Sequence, residues 1–514
     1  MRALPAKSRR RSGSRSRTRY LLFLAGLVLA SAALFLVREK EVARFWGFAL
    51  DDSWIHATIA RNLVEGHGFT FNPGEHVAGS TAPLYTLLLA ALYAVFHDPI
   101  WPAKILGVLC QCASGILIYL AMLRLDPKGA VKALVAAILV AISPALLWAS
   151  LSGMEIPVYL LFVCLGIFFY ANESRLAATL SWAAGVWVRP DGLFLVALDL
   201  VTTRRDLGRR LLAAAAIVGL FLGFNLATGG TMLPQTVGAK AHLGFSPVDR
   251  TWNLLREWGA LWGVPYRLED ELEHPFVLLP ALLIGAALMF RRRPLLALYA
   301  IGFPIALSLF RDQAGSAKRY ILYVVPFGMM LAATGLERVS ALVSRARPER
   351  ALAVIAAAIL IWQGVYVTHK ASLYALNVQN INFMQRRLGE MAAVVTKPED
   401  RIAVNDIGAI GYFSRRRVVD LMGLVTPLEP LPRALSLHRP ALMIIFVDWF
   451  KDFAVYDSTQ DTFTFYDADS THKYMVVAGV ELSVNTICAR DQMLMFRRLD
   501  RDAPPPSQRF LRRY

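Results

Sequence analysis

Cysteine is scarce in this chain. There are four in 514 residues. Cys110, Cys112 and Cys164 fall inside apolar runs, and Cys488 stands alone outside them. No disulfide framework or CxxC metal site can be read from that, and small buried hydrophobes are the expected role. Acidic residues are also in short supply, with 38 Asp and Glu against 55 Lys and Arg and a formal net charge of +17. That balance raises nucleic-acid binding, but the stripe of basic residues with interleaved aromatics is missing. The basic residues sit instead in short clusters between apolar runs: Arg204, Arg205, Arg209 and Arg210; Arg291 to Arg293; Arg345, Arg347 and Arg350. Cytoplasmic loops look like this under the positive-inside rule. An internal repeat is missing too, so a transporter or flippase built from matched halves has no support.

Apolar residues are plentiful. They make up 56% of the chain, and the mean hydropathy is +0.45. Separate apolar runs broken by short charged links describe a polytopic membrane bundle rather than one large soluble core. The N-terminus is rich in Arg and Ser, and residues 1–19 are expected to be a disordered cytoplasmic tail touching anionic lipid. The apolar run Tyr20 to Val37 follows, then Arg38-Glu39-Lys40-Glu41 where a cleavage site would need small residues. It is read as an uncleaved first span.

Alternation of loops sets the topology. The segment 38–82 becomes an external loop. Pro83 to Phe96 is about fourteen residues long, short of the roughly 20 a spanning helix needs. If it spanned, every later basic cluster would fall outside, so 83–97 is read as a juxtamembrane helix. Counting onward gives about eleven spans, ending with Ala351 to Val367. The expected organisation is an all-α membrane domain over 20–368, an extracytoplasmic α/β domain over 369–502 and a loose tail over 503–514. Short strand-like runs such as Arg401 to Asn405, Arg417 to Leu421 and Ala441 to Val447 mark the outer domain. The N-terminus is placed in the cytoplasm and the last domain outside the plasma membrane.

The first external loop carries the densest signal. Asp51-Asp52 is followed by Ser53-Trp54-Ile55-His56, Ala60-Arg61-Asn62-Leu63, Glu65-Gly66-His67-Gly68, Phe71-Asn72-Pro73-Gly74-Glu75 and Gly79-Ser80-Thr81. Adjacent carboxylates beside an apolar bundle are costly unless paired, metal-bound or used. One can take a proton from a hydroxyl while the other holds a cation or the acceptor. The alternative is two solvated loop aspartates.

The stretch from Asp51 to Leu84 resembles the first loop of the GT-C superfamily of membrane glycosyltransferases, especially the branch of cell-wall arabinofuranosyltransferases. Further segments resemble that family in order: Ser152 to Pro157, Val188 to Gly192, Pro234-Gln235-Thr236 with Ala239-Lys240, Arg319-Tyr320, Asp406 to Tyr412, and Val419 to Leu424. His56, Ser80-Thr81-Ala82 and Gln235 depart from its usual residues, which bears on the sugar and the acceptor. The resemblance implies an enzyme using a sugar on polyprenyl phosphate as donor and a cell-envelope glycan or lipid as acceptor, at the outer face and with inversion. Asp51 is then the expected general base and Asp52 a supporting carboxylate, with a divalent metal at Asp52 left open. Glu155 is a second acid or an ion-pair partner of Arg189. Arg189, Lys240 and Arg319 are candidate clamps for the donor phosphate, against simple interfacial snorkelling. His56 and Arg61 are candidate substrate contacts. His67 and His76 match no standard ligand spacing with Asp52. Transfer of a non-sugar group from a polyprenol would want a Ser or Thr nucleophile and a metal cluster, which Asp406, Asp420, Asp448 and His438 do not supply.

Overall fold

The computed structural model describes residues 6–75, 77, 79–232, 246–264, 274–308, 319–458, 462–502, 504 and 509–513. The chain begins with α1 (Ala6–Val42), which runs through most of the Arg/Ser segment expected to be disordered. Its apolar part is already helical, and extending a helix is far easier than starting one. A turn leads to α2 (Asp52–Val64) and then α3 (Pro83–Phe96). The segment read as a loop therefore contains a helix.

The bundle continues with α4 (Ile100–Leu125), α5 (Ala130–Ala141), α6 (Pro144–Leu151), α7 (Ile156–Ala171), α8 (Arg175–Gly185), α9 (Leu193–Thr202) and α10 (Leu207–Gly229). After these come α11 (Pro247–Leu261), α12 (Leu278–Phe290), α13 (Pro294–Ser308), α14 (Val325–Val343) and α15 (Pro348–Ile381). Among the described residues, five helical stretches are long and apolar enough to cross a membrane: Arg17–Val42, Ile100–Leu125, Leu207–Gly229, Leu322–Val343 and Pro348–Val395. The pair α5 and α6, bent by 47°, makes a sixth if taken as one span. These are the helices of a multi-pass membrane protein. The sequence reading counted about eleven spans. Helices stand at the other places too, but they are short. At 1.5 Å per residue, the 16 residues of α7 cover about 24 Å, less than a hydrocarbon core of about 30 Å.

The two ends of the bundle differ in what they gather. At one end, Tyr20 packs on Tyr119, Lys132 bridges Asp126 and Glu337, and Glu173 pairs with Arg175 and Arg293. There Arg210 also meets Asp199 at 2.6 Å. At the other end, Tyr85 donates to the Gly153 carbonyl and the Leu84 N–H to the Trp187 carbonyl. Lys104 lies there with Glu39, Nζ to Oε1 at 2.6 Å and to Oε2 at 2.5 Å, and both are fully buried. Both ends of α3 lie at this second end: Thr86 bonds His56, and Asp98, just beyond the helix, is close enough to act on Lys104.

The last long helix does not stop at 368. It passes through a π turn at Asn382–Arg386 and continues as α16 (Arg387–Val395). Asn382 reaches across to the Phe45 carbonyl at the turn, a side-chain tie of the kind that accompanies such bulges. The sheet begins only at β1 (Arg401–Val404), followed by α17 (Gly408–Ser414), β2 (Arg417–Asp420), α18 (Leu431–His438), β3 (Leu442–Ile445), β4 (Ala454–Asp457), β5 (Thr462–Tyr466), β6 (His472–Leu482) and β7 (Gln492–Asp500). Strand order is β2-β1-β3-β7-β6-β5-β4, parallel across β2, β1 and β3 and antiparallel beyond. The segment expected to be a loose tail carries β8 (Arg509–Arg513), which pairs with β6 over Ala478 to Leu482. β5 pairs only with Lys473 to Met475, so past the irregularity at Val476 that edge of β6 is open to a further strand.

The Glu39–Lys104 pair gives a stability prediction. Lys104→Met should leave a buried carboxylate without its cation and cost about 3–5 kcal/mol, while Lys104→Met with Glu39→Leu should recover most of it. Thermal unfolding of the detergent-solubilised protein checks this; equal losses in the single and double variants would contradict it.

Candidate active site

Helix α2 is the element that places the first-loop residues. Successive residues of a helix point about 100° apart, so Asp51 and Asp52 leave in different directions, while positions three and four apart share a face. One face carries Asp51, Trp54, Ile55, Ile59 and Arg61 toward the outer domain. The other carries Asp52 and His56 into the bundle.

On the first face, Asp51 is 7% exposed and its two carboxylate oxygens accept the backbone N–H groups of Gly408 and Ala409 at 2.6 and 2.7 Å. It caps the N-terminus of α17, where the helix dipole favours an anion. A Cβ on Gly408 would stand 2.0 Å from the Asp51 carbonyl oxygen, so only glycine allows this approach. Burial, with Asp406 beside it, pushes the Asp51 carboxyl well above its ordinary range, against the pull of the two N–H groups. Burial likewise pushes Asp406 up to about 6, although Gln385 donates to it at 2.7 Å. Arg61 closes the far end of the same contact: Nη1 donates to the Tyr412 carbonyl at 2.7 Å and the guanidinium lies 4.6 Å from the Tyr412 ring. Trp54 packs on Tyr412 and Phe413 between them.

The Phe71-to-Glu75 motif serves the same docking. Asn72 exchanges two hydrogen bonds with Val418 on edge strand β2, at 2.8 and 2.9 Å. Glu75 pairs with Arg417, Nε to Oε1 at 2.8 Å. In the run Val419 to Leu424, Asp420 accepts from the N–H groups of Met422, Leu424 and Val425 and closes a tight turn in which Gly423 has φ +76°.

On the second face, the Asp52 side chain is 30% exposed and its Oδ2 lies 2.8 Å from Nη2 of Arg319. Arg319 is otherwise buried, and its Nε and Nη1 have no hydrogen-bond partner. Its guanidinium is 5.2 Å from the Tyr320 ring; Arg189 sits 4.9 Å from the same ring and 5.2 Å from that of Tyr323. Arg189 is held by Asp191 through Nε and Nη2, at 3.1 and 2.6 Å, and by Glu155 through Nη1. Burial alone would raise the Glu155 carboxyl, but Arg189 and His56 outweigh it and hold it below the usual carboxylate range. His56 Nε2 is 3.6 Å from Glu155, and Nδ1 is 2.9 Å from the Thr86 hydroxyl, which in turn meets Ser80 at 3.0 Å.

The structure thus brings together Asp52, His56, Glu155, Arg189 and Arg319. It sends Asp51 and Arg61 to the outer domain instead. Lys240, with Pro234-Gln235-Thr236, lies outside the described residues, as does His76. Among the described residues, no three His, Cys, Asp or Glu side chains converge. Asp52 also faces a guanidinium, so these residues do not fit a cation held by the protein, and no step below passes through one. Sequence reasoning passed over Gln385 and Tyr323. Gln385 sits in what reads as plain helix, and nothing in the sequence marks Tyr323 beyond its nearness to Arg319.

No curated protein matches the chain. A family model described as a domain of unknown function (DUF8728) matches residues 374–496, the end of the last long helix and most of the outer domain. Solved structures match the whole architecture. ArnT from Cupriavidus metallidurans in the apo state is 14% identical with a TM-score of 0.53, covering 92% of this chain and 97% of that one. The same protein bound to undecaprenyl phosphate gives a TM-score of 0.54 at 14% identity, covering 92% and 98%. The oligosaccharyltransferase of Archaeoglobus fulgidus, tethered with an acceptor peptide containing the NVT sequon, gives 0.57 at 12% identity, covering 88% and 74%. Both are GT-C glycosyltransferases, and neither is an arabinofuranosyltransferase. At these identities the likeness is one of fold: a helical bundle followed by a sheet domain.

Proposed function

We propose that the protein is a glycosyltransferase that moves a sugar from a polyprenyl-phosphate donor to a glycan or lipid acceptor, with Asp52 as the general base. The observation that carries this reading is the pair Asp52–Arg319. A partly exposed carboxylate stands against a buried guanidinium with two N–H groups still to be partnered. An anionic phosphate can accept from either of those N–H groups, one at a time, because both forks of a guanidinium use Nη2 and that nitrogen faces Asp52. The carboxylate beside them can accept the proton of an acceptor hydroxyl. That oxygen attacks the anomeric carbon, the bond from carbon to the phosphate oxygen breaks, and its electron pair leaves on the phosphate. Arg319 stabilises the charge as it develops. Direct attack inverts the anomeric centre.

The undecaprenyl phosphate bound in the ArnT structure and the acceptor peptide in the oligosaccharyltransferase structure support a lipid-linked donor and a separate acceptor. The likeness of the first loop supports the arabinofuranosyltransferase-like branch as the finer reading. The clustering of basic links at the end of the bundle opposite the site supports a site on the outer face of the plasma membrane, with the N-terminus in the cytoplasm.

Asp51, expected from the sequence to be the base, is assigned here a positioning role. Both its oxygens are engaged by α17, and the register of α2 makes Asp52 follow wherever Asp51 is held.

Two variants separate these roles. Asp52→Asn keeps an oxygen for Arg319 but not the charge, so it should fold with at most a modest loss of thermal stability and lose about 10²–10⁴-fold in transfer rate. Asp51→Asn offers one acceptor and an NH₂ to two N–H donors, so it should lower thermal stability by about 1–3 kcal/mol as well as activity. Transfer from a polyprenyl-phosphate sugar by purified protein, with melting temperature measured alongside, is the test. If Asp51→Asn were inert at full stability while Asp52→Asn kept more than about a tenth of the rate, outside the range for a lost base, the two assignments would be reversed. A third variant, Arg319→Gln, should raise KM for the donor at least as much as it lowers kcat; an unchanged KM would remove Arg319 from the phosphate site.

A further inference from the structure

We infer that the hydroxyls of Tyr159, Tyr299 and Tyr323 form a buried polyol-binding subsite that holds the sugar ring of the donor beneath Arg189, beside Arg319; this rests on the glycosyl-transfer reading above. Tyr159 lies on α7, Tyr299 on α13, and Tyr323 in the turn between Arg319 and α14. All three are essentially inaccessible. The Tyr159 and Tyr323 rings meet edge to face at 4.6 Å, and the Tyr159 and Tyr299 hydroxyls are turned toward each other. None of the three hydroxyls has a hydrogen bond of full geometry.

Two other bundle tyrosines show that the fold can satisfy such groups. Tyr85 donates to the Gly153 carbonyl at 2.5 Å and Tyr374 to the Leu151 carbonyl at 2.9 Å. A buried hydroxyl left unmade carries the full loss of its hydration, and phenylalanine would pack the same space without that loss. Tyr159 and Tyr299 can share one hydrogen bond between them and Tyr323 has none, so the set still points to a ligand that completes it. The neighbourhood narrows its chemistry. Tyr323 lies under Arg189, and Tyr320 lies between Arg189 and Arg319. The unpartnered N–H groups of Arg319 and Oε2 of Glu155, which has only His56 Nε2 at 3.6 Å, belong to the same connected set. A hydrocarbon chain would satisfy none of these atoms, and a bare phosphate only those of Arg319. A sugar carried on a phosphate offers an anion to Arg319, hydroxyls to the phenols and C–H faces to their rings.

The test uses full-length protein in detergent and native mass spectrometry with two probes: undecaprenyl phosphate alone, and undecaprenyl phosphate bearing arabinose or glucose. Wild type should hold a sugar-bearing probe more tightly than the bare lipid. Tyr159→Phe, Tyr299→Phe and Tyr323→Phe should each reduce that preference by about three- to tenfold, the loss of one hydrogen bond, leaving affinity for the bare lipid unchanged. Their melting temperatures should stay level or rise, because an orphaned hydroxyl has been removed. Arg319→Gln should weaken both probes. The inference is overturned if wild type binds both probes equally, as it would if water alone meets the hydroxyls, or if the Phe variants keep the preference. If wild type binds neither probe, the glycosyl-transfer reading falls first and this subsite with it.

Discussion

Asp51 holds the molecule together at the point where its two halves meet. Its carboxylate takes two backbone N–H groups at the start of α17, and Gly408 lets the chains approach closely enough for that bond to form. Arg61 does the reverse at the other end of the same helix, giving N–H groups to a carbonyl. A short helix is thereby gripped at both ends with charges that suit its dipole. Asn72 and Glu75 extend the grip to the edge of the sheet, where β2 would otherwise present unpaired backbone groups. Because α2 is rigid, this clasp also sets where Asp52 and His56 point. The sheet domain in this sense helps fix the orientation of the bundle face that carries Asp52 and His56.

Charge inside the bundle is arranged with the same economy. Glu39 with Lys104, and Asp199 with Arg210 and Thr179, are closed sets whose members mostly find partners nearby. The set around Arg319 is open. Asp52 is partly exposed, two guanidinium N–H groups are unpartnered, and the nearby Tyr159, Tyr299 and Tyr323 hydroxyls make no hydrogen bond of full geometry. Closed sets favour one packing arrangement; an open one is where a substrate can supply the missing partners.

The contrast between Asp51 and Asp52 shows how far residue patterns reach. Two adjacent carboxylates after an apolar run mark a place where charge is put to use, and both are indeed buried or paired. Which one faces Arg319 depends on the rotation of α2, and that is decided by packing against residues about 350 positions away in the chain. Periodicity within α2 could have grouped Asp51 with Ile55 and Asp52 with His56, each pair four residues apart. It could not have said which face met the bundle. The run from Phe71 to Glu75 was legible as a tightly folded loop, but its use in docking rested on a partner strand that no local signal revealed.

By itself, the sequence determined the membrane-bundle class, the positions of most apolar helices and the presence of a late α/β domain. These follow from local quantities: apolar run length, charge at the run ends, and turn residues. Tertiary structure alone decided that the basic Arg/Ser segment carries on as helix, that the last long helix runs past position 369, and that the C-terminal segment adds a strand to β6. It also decided that Asp51 is a clasp and that Arg319 stands against Asp52. Each of these turns on a partner distant in sequence or on continuation of an element already formed, and the energy of a hydrogen bond or ion pair depends on where that partner lies in space, which no window of residues records.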